Sequence, residues 1–428
     1  MNPPDLLRWS EAMKFLPKDD PELSSLVNAE QTRIDTTLDL IAAENHAPPS
    51  IMEALGSVLT TKTIEGYPGA RFHAGCDNAD AVEALAIERA KALFGAEHAN
   101  VQPHSGSSAN LAVYFSVLDV GDRVLAMSLT HGGHLSHGHK ASVTSRCFDF
   151  THYSVNEETE RIDYDQVRDL AANYRPKMIV AGASAYPRLI DYVRMAEIAK
   201  EFDAYLMVDM AHIAGLVAAE VIPSPVPHAD FTTLTCYKTM MGGRGGVILS
   251  REEYANRVDK AVFPGSQGTS PVNVIAAKAL DFHLASTPGF STIQGATVRN
   301  ARHLAQTLSG LGYRIVSGGT DNHQVIVDVG GKGITGSEAE KALEAAGIVA
   351  NRNTIPSDAR RPGQVSGLRL GTAAVATRGM GEKEMELIAD LIHQALEGRE
   401  TPGRLDDVAS MVKNLCADFS IPKDAFSQ

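Results

Sequence analysis

The chain has 428 residues, 44% apolar and 21% charged, enough for a large core spread over two or three domains. A net charge of −13 without a basic tract argues against nucleic acid or anionic membrane as a partner, and no apolar run approaches the roughly 20 residues of a membrane span. Cys76, Cys147, Cys236 and Cys416 lack metal-site spacing, and Met1 to Leu16 lacks a secretory pattern, so a cytoplasmic setting is expected.

Residues 1–36 read as an N-terminal arm, exposed from about residue 20, that leads into Leu40-Ile41-Ala42. Residues 37–285 read as a large domain. Helical periodicity over 79–94 is followed by short apolar runs at 123–127, 178–183, 205–209 and 246–250, the pattern of buried strands. Strands alternating with helices predict a mainly parallel sheet covered on both faces, with ligands beyond the carboxyl ends of its strands. Residues 286–428 read as a smaller α+β domain. It has a helix at 297–311, strand-like 314–317 and 324–329, a helix at 336–346, extended 348–350, and a last helix at 383–396.

Several side chains stand out by their setting. Lys238 follows the β-branched run Phe231 to Thr235 and precedes Gly242-Gly243-Arg244-Gly245-Gly246. A lysine there is either a solvated surface group or an amine able to form a Schiff base with an aldehyde. Asp209 ends the apolar run Tyr205-Leu206-Met207-Val208, as a helix cap or as the partner of a protonated pyridine nitrogen, with His212 facing the same place. His104-Ser105-Gly106-Ser107-Ser108 is a plain capping turn or a phosphate cradle made of free amides.

His131-Gly132-Gly133-His134-Leu135-Ser136-His137 matches no metal pattern, and a histidine there could instead stack on an aromatic cofactor. Glu65, in a Gly/Pro-rich loop, is a solvated turn residue or an acid/base group. Arg369 sits inside Gly367-Leu368-Arg369-Leu370-Gly371, where its fork suits a carboxylate. Each signal is weak alone. Together they are the parts of a fold type I, aminotransferase-like enzyme that uses pyridoxal phosphate.

From about residue 20 to 398 the chain resembles the serine (glycine) hydroxymethyltransferase family. The matching stretches include Leu40-Ile41-Ala42, Glu44-Asn45, Glu65-Gly66-Tyr67-Pro68-Gly69, Asn100 to Ser107, Val208-Asp209-Met210-Ala211-His212, Val316 to His323 and Gly371-Thr372. The resemblance implies a catalytic set of Lys238, Glu65, Asp209 and His134. Lys238 would hold pyridoxal phosphate as a Schiff base, Asp209 would pair with its ring nitrogen and His134 would stack on the ring. Ser105, Gly106 and Ser107 would bind the phosphate, with Gly268 from a second subunit. His212, beside the cofactor, and Arg369 would hold the substrate carboxylate, Arg244 would orient the Lys238 region, and Arg244, Thr63 and His73 would lie on the substrate side of the site. Glu65, also from the neighbouring subunit, would move a proton near the hydroxymethyl group. Leu129, Gly133, Leu135 and Asn353 match positions that contact tetrahydrofolate, the expected cosubstrate. Shared sites imply a homodimer or homotetramer.

Departures from the family pattern cluster at this site. Ala43 stands where the family usually has serine, Thr63 where it has tyrosine, and Phe72-His73 where it has Tyr-Tyr. Tyr237 stands in place of histidine and Gly363 in place of phenylalanine. Lost rings free volume beside the α-carbon, which predicts a substrate with a quaternary α-carbon. The simplest is 2-methylserine, cleaved to alanine with the one-carbon unit passed to tetrahydrofolate. Alternatives are a folate-independent 2-methylserine aldolase, or ordinary serine/glycine chemistry if Ile64 and Tyr237 refill the space. A non-catalytic regulatory protein of the same fold is disfavoured by the intact Lys238, Asp209 and Arg369.

Overall fold

The computed structural model describes residues 14–358, 360 and 363–422. The first thirteen residues of the expected arm and the last six of the expected smaller domain lie outside these. Much of the remaining arm is a single helix, Pro21–Thr36. Asp20 caps it by accepting from the Leu23 amide at 2.9 Å, and Pro21 takes the first position, where no N–H is needed. Arg378 holds its far end, donating to the carbonyls of Ile34, Asp35 and Thr37. The same guanidinium donates to the carbonyls of Cys416 and Phe419.

The main sheet has seven strands. In spatial order they are His98–Asn100, Gly246–Ser250, Phe231–Thr235, Tyr205–Asp209, Met178–Gly182, Arg123–Met127 and Asp149–Tyr153. The last five run parallel; Gly246–Ser250 runs against them, and His98–Asn100 pairs antiparallel with it at the edge. Side chains alternate between two apolar clusters, one on each face. Leu125, Ile179, Leu206, Val208 and Leu234 belong to one cluster, while Val124, Val180, Met207 and Phe231 belong to the other. A strand buried on both faces is apolar at most positions, which is why 178–182 and 246–250 read as near-continuous runs, while Phe231–Thr235 buries three threonines as well. Each buried side chain of this size contributes about 1.5–3 kcal/mol.

The smaller sheet is antiparallel, in the order Arg314–Ile315, Gln324–Asp328, Gly367–Gly371, Asn351–Asn353. The strand expected over 314–317 ends at Ile315, because Ser317 takes a left-handed conformation. The two cores do not divide the chain where the sequence places the boundaries. Leu38 and Leu40, assigned to the large domain, pack in the smaller core, and Leu38–Asp39 pairs in parallel with Ile348–Val349. The helix expected at 297 begins at Pro288, with the Thr287 hydroxyl as its cap. Its Phe290 and Val298 pack in the large core, and its Ala301, Leu304 and Leu308 in the smaller one. A further helix, Arg404–Asp418, follows the one expected to be last and buries Val408, Val412 and Leu415. Among the described residues no helix is long and apolar enough to cross a membrane.

Candidate active site

The carboxyl ends of the parallel strands converge on one cavity. Ser105, Ser107, His134, Asp209, His212 and Lys238 all line it. Asp209 is the last residue of its strand and lies opposite Gly182. A Cβ on Gly182 would fall 2.2 Å from the Asp209 carbonyl oxygen, and its φ is +132°, so only glycine permits this approach. The Asp209 Oδ2 accepts from Asn110 Nδ2 at 2.8 Å and lies 3.0 Å from His137 Nε2, while Oδ1 accepts from the Ala211 amide at 3.0 Å. Burial alone would raise its pKa. Burial is outweighed by the His137 hydrogen bond, the nearby imidazoles and the Asn110 hydrogen bond, which hold it well below the usual carboxylate range. Asp209 is therefore a fixed anion.

Lys238 lies three residues past the end of Phe231–Thr235 and is 7% exposed. Burial lowers its pKa to about 8, against an opposing pull from Asp209 and with help from Arg369 and Arg244. An amine so placed is available as a nucleophile near neutral pH. Ser105 does cap the helix Gly106–Val117, exchanging hydrogen bonds with Ser108, and the same turn lines the cavity. The turn is thus a helix cap that also borders the cavity.

His134 is drawn down to about 4 by burial, and its Nδ1 lies 2.7 Å from the Ser136 hydroxyl. His212 is driven well below its ordinary value by burial and by the charges of Lys238 and Arg369. Its ring stacks on that of His323, with centroids 5.7 Å apart, and its Nδ1 is a buried atom without a hydrogen-bond partner among the described residues. Both rings are thus neutral. Arg369 projects from the smaller sheet, where Nη1 donates to the Ser184 carbonyl at 2.5 Å and Nε to Asn351 Oδ1 at 3.1 Å. Burial lowers its pKa to about 10, which leaves it charged, and among the described residues it pairs with no carboxylate. A half-buried guanidinium of this kind, without a carboxylate, calls for an anionic ligand.

A second cleft adjoins the first and shares His134 and Ser184 with it. Leu129, Gly133, Leu135 and Asn353 all line it, together with Arg369. Five expected site residues do not line either cavity within one chain. Glu65 Oε1 lies 3.7 Å from where a Gly268 Cβ would stand, and the Ile64 amide donates to the Thr269 hydroxyl at 2.8 Å. Glu65 and Gly268 thus form a cluster of their own. Thr63 and His73 are exposed on the same stretch of chain. Arg244 is also exposed and lies over the Tyr237 ring at 4.4 Å, while Lys238 Nζ is 6.0 Å from that ring.

A model of the family described as serine hydroxymethyltransferase matches residues 16–392. The chain belongs to this family. It is a hydroxymethyltransferase of the pyridoxal-phosphate fold type I, acts on a small serine-type amino acid, and takes tetrahydrofolate as cosubstrate. Members are generally oligomeric.

The residues present fit that cofactor. A fixed carboxylate, a lysine of lowered pKa, a helix-opening turn and an orphaned buried imidazole nitrogen surround one cavity. The sequence reading did not assign Asn110, His137 or Ser184, although they support the hydroxymethyltransferase site. The signal for Asn110 was an amide in an otherwise small and apolar helix, and His137 stood inside a stretch already singled out. Ligand atoms of His134, His137 and Asp209 lie within 4.8 Å of one another, close enough to hold a metal ion. Hydrogen bonds from Asn110 to Asp209 and between Ser136 and His134 already occupy two of those groups.

Proposed function

We propose that this hydroxymethyltransferase cleaves the Cα–Cβ bond of 2-methylserine to give alanine, passing the one-carbon unit to tetrahydrofolate. The observation that carries this reading is the setting of Thr63. It is exposed two residues from Glu65, which neighbours Gly268, so position 63 itself contributes no ring next to the carboxyl that handles the hydroxymethyl proton. In a dimer, or a tetramer built from such dimers, this cluster completes the neighbour's cavity. Four free cysteines support a reduced, cytoplasmic setting.

Bound pyridoxal phosphate supplies an electron sink for the pair of electrons left on the α-carbon. Lys238 would hold the cofactor through its amine, whose pKa burial lowers to about 8. Asp209, held anionic by Asn110 and His137, keeps a proton on the ring nitrogen. The turn Ser105–Gly106–Ser107 binds the phosphate, with Gly268 of the neighbour. His134, being neutral, packs on the ring face without competing for that proton. Arg369 and His212 fix the substrate carboxylate, and Arg244 steadies Tyr237 beside Lys238. Leu129, Gly133, Leu135 and Asn353 hold tetrahydrofolate in the adjoining cleft.

The test compares kcat/KM for 2-methylserine and serine, with and without tetrahydrofolate, in the natural protein and in Thr63→Tyr. The natural protein is expected to prefer 2-methylserine and to need the folate. A restored ring crowds the α-methyl group at about 1–3 kcal/mol, which moves the ratio toward serine by roughly tenfold. A natural preference for serine would overturn the substrate. An unmoved ratio in Thr63→Tyr would shift specificity to Ala43, His73 or Tyr237.

A further inference from the structure

Lys278, on the helix Val272–Ala285, is 1% exposed and lies outside the cavity of Lys238. Its Nζ donates to three backbone carbonyls, Val101 at 2.6 Å, Gly246 at 2.9 Å and Pro103 at 3.0 Å. Three converging acceptors use every proton of an ammonium, whereas a neutral amine has only two. Burial draws the Lys278 pKa down to about 8, so the charged form still dominates at neutral pH. Among the described residues no carboxylate forms an ion pair with it. A buried cation without a counter-ion is costly, and an apolar side chain of similar length would fill the same space.

The three carbonyls frame the phosphate turn. Val101 and Pro103 lead directly into Ser105, and Gly246 opens the strand that follows the Lys238 loop. The Gly246 amide donates to the Pro103 carbonyl at 3.0 Å, and a Cβ on Gly246 would fall 2.2 Å from the Ser105 carbonyl oxygen. On the other side, a Cβ on Gly106 would fall 2.7 Å from the Thr235 methyl group. Turn and strand ends are in direct contact, and Lys278 ties them from behind.

We propose that Lys278 is a positioning residue for the cofactor phosphate. Its ammonium fixes the Ser105–Ser107 turn against the segment that carries Lys238 and places a positive charge behind a bound dianion. The inference rests on Ser105–Ser107 being the phosphate turn.

The experiment measures equilibrium binding of pyridoxal phosphate and of phosphate-free pyridoxal to full-length protein stripped of cofactor. It compares the natural chain, Lys278→Met and Ser107→Ala. In Lys278→Met the preference for the phosphorylated form is expected to fall by about tenfold or more, while pyridoxal binds within about twofold of normal. An unchanged preference, or an equal loss of both ligands, overturns the proposal, since a merely structural lysine would affect both alike. If Ser107→Ala leaves the preference intact, the turn assignment is at fault and the proposal falls with it. Should Lys278→Met not fold by circular dichroism, the same ratio is read in Lys278→Arg. That variant keeps the charge but cannot aim three N–H groups at these carbonyls. A fall of about threefold is expected there, and none would overturn the role.

Discussion

Replacing Arg369 by lysine keeps a positive charge and removes a fork. Arg369 already donates to the Ser184 carbonyl and to Asn351, and these two bonds aim its remaining N–H groups into the site. A guanidinium has five donors in one plane; an ammonium has three on a flexible stem. A lysine that satisfied Ser184 and Asn351 would keep one N–H for the substrate carboxylate, where arginine offers two in parallel. The loss of one charge-assisted hydrogen bond costs about 1.5–3 kcal/mol, or roughly 10- to 150-fold in affinity. Steady-state kinetics should show KM for the amino acid rising by that factor. The change in kcat should be smaller, because the carboxylate is held equally before and during bond cleavage. Titrating the change in cofactor absorbance on substrate binding gives the affinity independently. A KM within twofold of normal refutes the assignment and moves the carboxylate to His212. A lower kcat at unchanged KM would make Arg369 a group that acts only in the transition state.

Three further outcomes are expected. Lys238→Ala should lose turnover, and borohydride reduction of the natural holoenzyme followed by peptide mapping should label Lys238; label on another lysine would reassign the anchor. Asp209→Ala should lower kcat by roughly 10²–10³-fold with an unchanged circular dichroism spectrum, whereas near-normal turnover would leave Asp209 as a cap. The Lys238 amine reacts only when neutral, and with a pKa of about 8 its neutral share rises about tenfold between pH 7 and 9. The rate at which cofactor-free protein recaptures pyridoxal phosphate should climb by that factor and level off above pH 9. A rate that climbs about a hundredfold between pH 7 and 9 and keeps rising past pH 10 would show an ordinary lysine.

The parallel strands were legible because burial on both faces favours a near-continuous apolar run. The readings of 123–127, 205–209 and 246–250 match the strands found. Asp209 and Lys238 were legible because a charge that closes such a run needs a reason. What escaped depends on contacts between distant segments. His98–Asn100 is too short to show a period and exists through pairing with Gly246–Ser250. The Pro288-Gly289 pair reads as a turn, yet proline at the first position of a capped helix is favourable. The helix Pro21–Thr36 has few apolar positions to mark it, and Arg378 anchors its end from far along the chain. No local pattern brings Asn110 and His137 to Asp209, nor Glu65 to Gly268.

The pairing of Leu38–Asp39 with Ile348–Val349 has a consequence for how the chain matures. On a ribosome these early residues emerge with nothing to pair with until most of the chain has followed. Closing so long a loop carries an entropic cost, on the order of 5 kcal/mol, that local contacts cannot offset in advance. The smaller core is therefore a late event, and the cradle for Arg369 is finished only when it closes. Cutting the chain into successive pieces would not separate the two cores either. A piece beginning after Leu40 lacks two of the leucines that complete the smaller core, and a piece ending before Ile348 leaves those leucines in water.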